Sequence, residues 1–186
     1  MAQFTKKAII ETFVKLLNDT PLDKITVKDI VNECGINRNT FYYYYQDIYA
    51  LLEDIFSIEI DKIVKETKSF DSWLDGCQMA LQFALGNKRA VYHIYNSSAR
   101  EQVERYVYAV LEHFMKEYVQ FERKDLKVCD TDLEIITDFY IFALEGLIFD
   151  WIGKGMKEDA AQKLERLAVI FDGSVRNVIV KASDKL

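Results

Sequence analysis

The chain has 186 residues, 50% hydrophobic and 29% charged, with one proline and seven glycines. That composition supplies a core for one or two compact domains, excludes a disordered chain, and leaves too few turn residues for short strands joined by hairpins, so the expected fold class is all-α. The net charge of −6 argues against holding a polyanion by bulk charge. The excess of acid lies wholly in residues 49–186, because residues 1–48 hold six basic groups (Lys6, Lys7, Lys15, Lys24, Lys28, Arg38) and six acidic ones (Glu11, Asp19, Asp23, Asp29, Glu33, Asp47).

In chain order, the first helical pattern spans 5–17 (TKKAIIETFVKLL) and leads into a loop. Thr26 then precedes an apolar-periodic run with Asp29 three positions later. This is a capping-box variant in which hydroxyl and carboxylate each satisfy a backbone N–H. Val27, Ile30, Val31 and Cys34 share one face of that second helix, and Lys28 falls off it, toward solvent or a phosphate. Gly35 stands where the helix must stop and the chain turn sharply, since glycine accepts a positive φ at little cost. Ile36 can plug a small core, and Asn37 is a good N-cap for a third helix over 38–45.

In that third helix Phe41 and Tyr45, four apart, share a face and belong to a three-helix core. Arg38, Asn39, Thr40, Tyr42, Tyr43 and Tyr44 cover the other faces. Arginine and asparagine can bond guanine and adenine edges in bidentate fashion, threonine methyls and tyrosine rings can touch thymine methyls, and a tyrosine hydroxyl can hold a phosphate. Four tyrosines in a row, considered alone, favour packing or a protein interface. The capped helix, the glycine turn and the adjacent Arg-Asn-Thr reverse that preference in favour of a helix-turn-helix that reads the major groove.

The segment ITVKDIVNECGINRNTFYYYYQDIYALLEDIF, with the helix before it, resembles the tetracycline-repressor (TetR) family of bacterial regulators over about residues 3–56. The pattern of Thr, turn Gly, Thr-Phe-Tyr and a following Leu-Leu helix carries the resemblance. It implies an N-terminal three-helix DNA-binding domain on a larger helical regulatory domain that dimerises. Carried over by position, base and phosphate contacts fall on Thr26, Val27, Lys28, Arg38, Asn39, Thr40, Tyr42, Tyr43 and Tyr44. One position departs from the family: most members have a lysine at the start of the next helix, where this chain has Ile48 after Gln46 and Asp47. Asp47 is a sound N-cap, so the helix stands and only a phosphate contact is missing. Gln46, Tyr44 or the amides of the helix start can substitute. A charge-neutral reading head predicts weak non-specific binding and a modest salt slope.

Helix four is expected over 47–68, carrying Leu51, Leu52, Ile55, Phe56, Ile60, Ile63 and Val64 at helical spacing. It connects a helix-turn-helix domain (1–48) to a helical effector-binding and dimerisation domain (49–186). A break at 70–72, with Ser72 and Asp75 as a cap, precedes a helix with Trp73, Leu74, Cys77 and Leu81. Gly86 and Asn87 break the chain before a short helix over 88–95. Ser98 with Glu101 reads as a capping box for a long helix to about Phe121. Thr131 with Glu134 opens the next, ending near Gly153, and a last helix is expected over 158–181. The wording WIGKGMKED resembles a subset of TetR-like regulators with a compact C-terminal domain.

Residues 135–152 are apolar on nearly every face, more than a small chain covers alone. The last helix bears a stripe of Ala161, Leu164, Ala168, Phe171, Val175 and Val178. These two helices either pack inside the protomer or pair across a two-fold axis as a homodimer interface, with Ala143 and Gly146 allowing close approach. The dimer is the preferred reading, and it suits a palindromic operator in double-stranded DNA. An effector pocket is sketched by Trp73, Tyr92, Tyr106, Phe139, Phe142 and Glu145, though aromatic stripes are more often core. Glu145 can ion-pair across a dimer or bond a ligand.

Other classes find less support. Cys34, Cys77 and Cys129 are odd in number and far apart, which argues against disulfides or zinc. Neither His93 nor His113 has the glutamate three residues earlier that a di-metal bundle needs, since Ala90 and Val110 stand there. No phosphate loop or nucleophile elbow appears, so no enzyme, metal or cofactor is expected. The start MAQFTKK has no apolar h-region, and Asp138, Glu145 and Asp150 interrupt the longest apolar stretch, which argues against a membrane span. A cytoplasmic protein is expected. The reading is a dimeric DNA-binding transcription regulator, taken as a repressor released by a small-molecule or protein effector. The alternative is a helical protein–protein adaptor without DNA binding.

Overall fold

The computed structural model describes residues 2–66 and 73–183. Every element among them is helical: α1 (Ala2–Asp19), a 3-10 turn (Leu22–Lys24), α2 (Val27–Cys34), α3 (Arg38–Tyr44), α4 (Ile48–Glu66), α5 (Trp73–Gly86), α6 (Lys88–Tyr95), α7 (Arg100–Arg123), α8 (Asp130–Gly153), α9 (Ala160–Ile170) and α10 (Ser174–Ser183). The expected cap of Ser72 with Asp75, and the end of helix four at 67–68, lie outside the described residues. Contacts gather the chain into two compact units, Met1–Asp61 with Ala84–Tyr106 and Lys62–Phe83 with Val107–Leu186.

The first unit is built on α1. Ile9, Phe13 and Leu17 recur every four residues and are fully buried on one face. One helical stripe thus serves two partners, α2 and α6. Leu22, Ile25, Ile30, Val31, Phe41, Leu51 and Leu52 are also buried in this unit. Polar ties reinforce it. Nδ1 of His93 lies 2.7 Å from the Leu17 carbonyl oxygen. Arg105 donates to Glu53 at 3.1 Å. The expected capping box of Ser98 with Glu101 does not form. Ser98 instead donates its hydroxyl to Asp23 at 2.7 Å and meets the Tyr49 hydroxyl at 2.9 Å, while Glu101 pairs with Arg105. The hydroxyl of Ser97 accepts the Ala99 N–H at 3.1 Å ahead of α7. A long-range carboxylate outcompetes the local cap.

The second unit has a core of Leu111, Met115, Tyr118 and Val119 from α7, Val128, Leu133, Ile136 and Ile141 from α8 and the turn before it, and Val175 and Ile179 from α10. Cys77 packs against it, and burial pushes its thiol up to about 12. The Arg176 guanidinium donates to the backbone carbonyls of Glu122 and Arg123. The Tyr140 hydroxyl donates to Ser174 at 3.0 Å, and the Trp151 indole N–H closes the turn after α8 on the Glu158 carbonyl at 3.1 Å. Helix α8 starts at Asp130 with Cys129 as N-cap, one residue ahead of the expected Thr131.

The single last helix expected over 158–181 is corrected: it is two. Helix α9 ends with Phe171 as C-cap, and Gly173 adopts φ +65° before α10. A left-handed residue cannot continue a right-handed helix, so Asp172-Gly173 is the break. The expected stripe divides accordingly. Val175 is buried in the protomer core, whereas α9 buries none of its residues.

Candidate nucleic-acid interface

Local chemistry fixes the helix-turn-helix at each joint. Thr26 accepts the Asp29 N–H at 3.3 Å, and the Asp29 carboxylate accepts the Thr26 N–H at 2.9 Å and hydroxyl at 2.6 Å. Those bonds from the Thr26 hydroxyl and backbone hold the Asp29 carboxyl below the usual carboxylate range. Helix α2 stops at Gly35, which has φ +71° with open space around it. Its N–H reaches back to Asn32, and that of Ile36 to Val31. Asn37 then caps α3, accepting the Thr40 N–H at 2.8 Å and the Thr40 hydroxyl at 3.0 Å. Asp47 caps α4 on the Ala50 N–H at 2.8 Å, so Ile48 in place of lysine leaves the helix start intact.

Within α3, Phe41 is 0% exposed and anchors the helix in the core, with Tyr45 buried as the C-cap. The outer faces carry Arg38 and Asn39, both exposed, with Tyr42 at 54% and Tyr43 at 80%. Thr40 and Tyr44 are half-buried, and the Tyr44 ring stands edge-on to Tyr43 with centroids 5.0 Å apart. Lys28 is exposed at the start of α2 and Val27 is half-buried. Arg38, Asn39, Tyr42, Tyr43 and Lys28 therefore meet solvent on adjacent short helices.

Two side chains are more constrained than their types suggest. The hydroxyl proton of Thr26 and that of Thr40 are already engaged, by Asp29 and Asn37. What the start of α2 offers an anion is its first-turn amides, those of Val27 and Lys28, which have no intrahelical acceptor. Among the cations of 1–48, Lys6 pairs with Asp54, Lys7 with Glu11 and Lys15 with Glu33. Among the described residues Lys24, Lys28 and Arg38 enter no ion pair.

The sketched effector residues differ in exposure. Tyr106 is buried and stacks on Phe56 at 4.7 Å, and Tyr92 is exposed on α6. Phe139 and Phe142 are exposed on α8, Glu145 is half-buried on the same helix, and the Trp73 side chain lies outside the described residues. Among the described residues there is no group of three metal-ligating side chains, and no helix is long and apolar enough to cross a membrane.

A capped helix, a left-handed glycine turn and a short helix with a polar, aromatic outer side define a helix-turn-helix protein of the DNA-reading kind. Residues 9–55 match the family model described as bacterial regulatory proteins, tetR family, and residues 71–173 match one described as transcriptional regulator C-terminal region. The chain belongs to the TetR family of DNA-binding transcriptional regulators. It is similar to the HTH-type dhaKLM operon transcriptional activator DhaS of Lactococcus lactis subsp. lactis (strain IL1403), with 28% identity over 79 residues, 42% of each chain. The match thus spans about two fifths of that relative's length. A solved structure of a dihydroxyacetone kinase operon activator DhaS superposes with a TM-score of 0.76 at 19% identity, covering 92% of this chain and 96% of that one. At that identity the likeness bears on the fold alone.

Proposed function

We propose that residues 1–48 act as a reading head in which α3 enters the major groove of an operator. Arg38, Asn39, Tyr42 and Tyr43 face base edges, and Lys28, Tyr44 and the amides of Val27 and Lys28 meet phosphates. Thr26 and Thr40 act mainly by fixing the two helices, with the Thr40 methyl left for thymine contact. The observation that carries this reading is the outer side of α3, where two tyrosines, an arginine and an asparagine stay exposed on a helix whose opposite side is fully buried. The test is selection of bound sequences from a random duplex library, followed by gel shift. Arg38→Ala with Tyr42→Ala should abolish binding to the selected duplex while helicity is kept; persistent binding would remove α3 from the reading role.

A second copy completes the regulator. Helix α8 exposes Ile135 (61%), Phe139 (68%) and Phe142 (58%), and Val169, Ile170 and Phe171 stand exposed at the end of α9. This apolar surface supports a homodimer through the last helices, which matches two heads to a palindromic site. The protein acts on transcription by occupying its operator, as a repressor that an effector releases. Strong release needs an effector that prefers one state by several kcal/mol, about a thousandfold or more. Activation is a second reading, supported by the similarity to DhaS, an operon activator by name. A reporter placed behind the selected site separates the two by the sign of its response when the regulator is deleted.

A further inference from the structure

At the end of the recognition helix stands a three-helix polar junction that lies outside every residue proposed to touch DNA. Tyr45, the C-cap of α3, has its ring in the core beside Phe41, with centroids 5.9 Å apart, and its hydroxyl donates to Oδ2 of Asp54 on α4 at 2.8 Å. The same carboxylate receives Nζ of Lys6 on α1 at 2.9 Å. One carboxylate therefore joins α1, α4 and the end of α3. Burial, and then the Asp54 carboxylate, push the Tyr45 hydroxyl well above its ordinary value, so it remains a donor throughout the physiological range.

Apolar packing of Phe41 and Tyr45 is non-directional and sets the rotation of a short helix less sharply than a directional bond does. A hydrogen bond to a charged acceptor is directional and stronger than a neutral one. With side chains a helix is about 10–12 Å across, so a roll of roughly ten degrees carries an outer side-chain tip about 1 Å. That displacement is enough to spoil a bidentate base contact while leaving contacts to phosphates in place.

We propose that Tyr45, Asp54 and Lys6 are positioning residues that set the rotation of α3, and through it the protein's discrimination between operator and other DNA. The inference rests on the reading-head assignment above. Its consequence is selective: loss of the junction lowers operator affinity and leaves non-specific affinity nearly unchanged, because phosphate contacts tolerate the roll.

The experiment uses the full-length protein and a duplex selected in vitro by the wild type, with a scrambled duplex as comparison. Tyr45→Phe keeps the ring and removes only the hydroxyl; Asp54→Asn removes the charge; Lys6→Met removes the ammonium, with Lys6→Arg as the conservative rescue. Tyr45→Phe and Asp54→Asn should each weaken binding to the selected duplex about tenfold, the scale of one hydrogen bond to a charged group, with scrambled-duplex affinity within about twofold. The double variant should be no worse than the singles, and Lys6→Arg should restore what Lys6→Met loses. A merely structural role would lower the melting temperature and both affinities together and leave their ratio fixed; that result, or an unchanged ratio in Tyr45→Phe, overturns the proposal while the reading head stands. Failure of the wild type to enrich any sequence would overturn the reading head and the junction's role with it.

Discussion

The proposed dimer surface permits the sharpest quantitative test. Phe139 projects from α8 at 68% exposure, which at roughly 200 Å² for a whole aromatic side chain leaves about 140 Å² in water. If a partner covers half of that, burial contributes about 1.7 kcal/mol per copy at about 25 cal/mol per Å². A two-fold interface contains the residue twice, so Phe139→Ala should weaken the dimer by about 3.4 kcal/mol, roughly 300-fold in Kd. The protomer should be indifferent, because the side chain covers little of its own core. A complementary change adds bulk: Gly146 lies on α8, and a Cβ at that position would meet nothing within 4 Å. Gly146→Leu therefore fits the protomer and wedges a closely approaching partner. Sedimentation equilibrium over a concentration series gives the Kd, with circular dichroism as the control for folding. A Kd within a few-fold of wild type in both variants, with helicity intact, would refute the placement of the interface on this face.

Other expectations follow from the same geometry. Among the described residues of 1–48 three cations stand outside any ion pair, Lys24, Lys28 and Arg38; if the heads alone meet DNA they give at most six per dimer, so the slope of log K against log salt should be no steeper than about −5. Lys28→Ala should reduce it by about two for the dimer, and a wild-type slope near −10 would mean that other cations reach the backbone. Gly35→Ala places a Cβ at φ +71° in open space, so its cost should be backbone strain of about 1–2 kcal/mol, read as a lower melting temperature in thermal unfolding. Asn37→Ala should cost about 1 kcal/mol through loss of the α3 cap, measured the same way. In alkali, burial raises the Cys77 thiol from 9.0 and the Tyr118 hydroxyl from 10.0, each to about 12. Groups raised on folding stabilise below their unfolded values and lose that contribution as pH climbs toward the folded ones. Stability should therefore fall from about pH 9 upward, each group steepening the fall by at most about 1.4 kcal/mol per pH unit. Cys77→Ala should flatten the early part of a melting-temperature profile.

How much of this is legible in the sequence depends on the range of the interaction. The joints of the reading head are contacts between residues three apart, Thr26 with Asp29 and Asn37 with Thr40, and the α6 bounds at 88–95 match those expected after Gly86 and Asn87. Local chemistry decides such features, and periodicity exposes them. Ser98 shows the opposite case. Its capping pattern is locally sound, yet Asp23, 75 residues away, takes the hydroxyl. The Lys6–Asp54 pair, 48 residues apart, has no local signature either. The last helix misleads for another reason: the stripe from Ala161 to Val178 keeps helical spacing across Asp172-Gly173, and periodicity outweighs a break that the glycine signals. Phe139 and Phe142, grouped with a pocket on aromatic character, are exposed on α8, and side-chain exposure of that kind has no signature in the spacing.

The interruption at Gly173 separates two obligations that a continuous rod would have forced onto the same residues. Beyond it, Val175 and Ile179 are buried in the protomer's own interior; before it, Val169 and Ile170 are mostly exposed. In the proposed homodimer, substitutions at Val169 and Ile170 therefore alter association strength or pairing preference without endangering folding, whereas Val175 and Ile179 tolerate little. With that interface, a lineage of such regulators insulates itself from cross-pairing with sister proteins by changing a handful of positions ahead of one left-handed glycine.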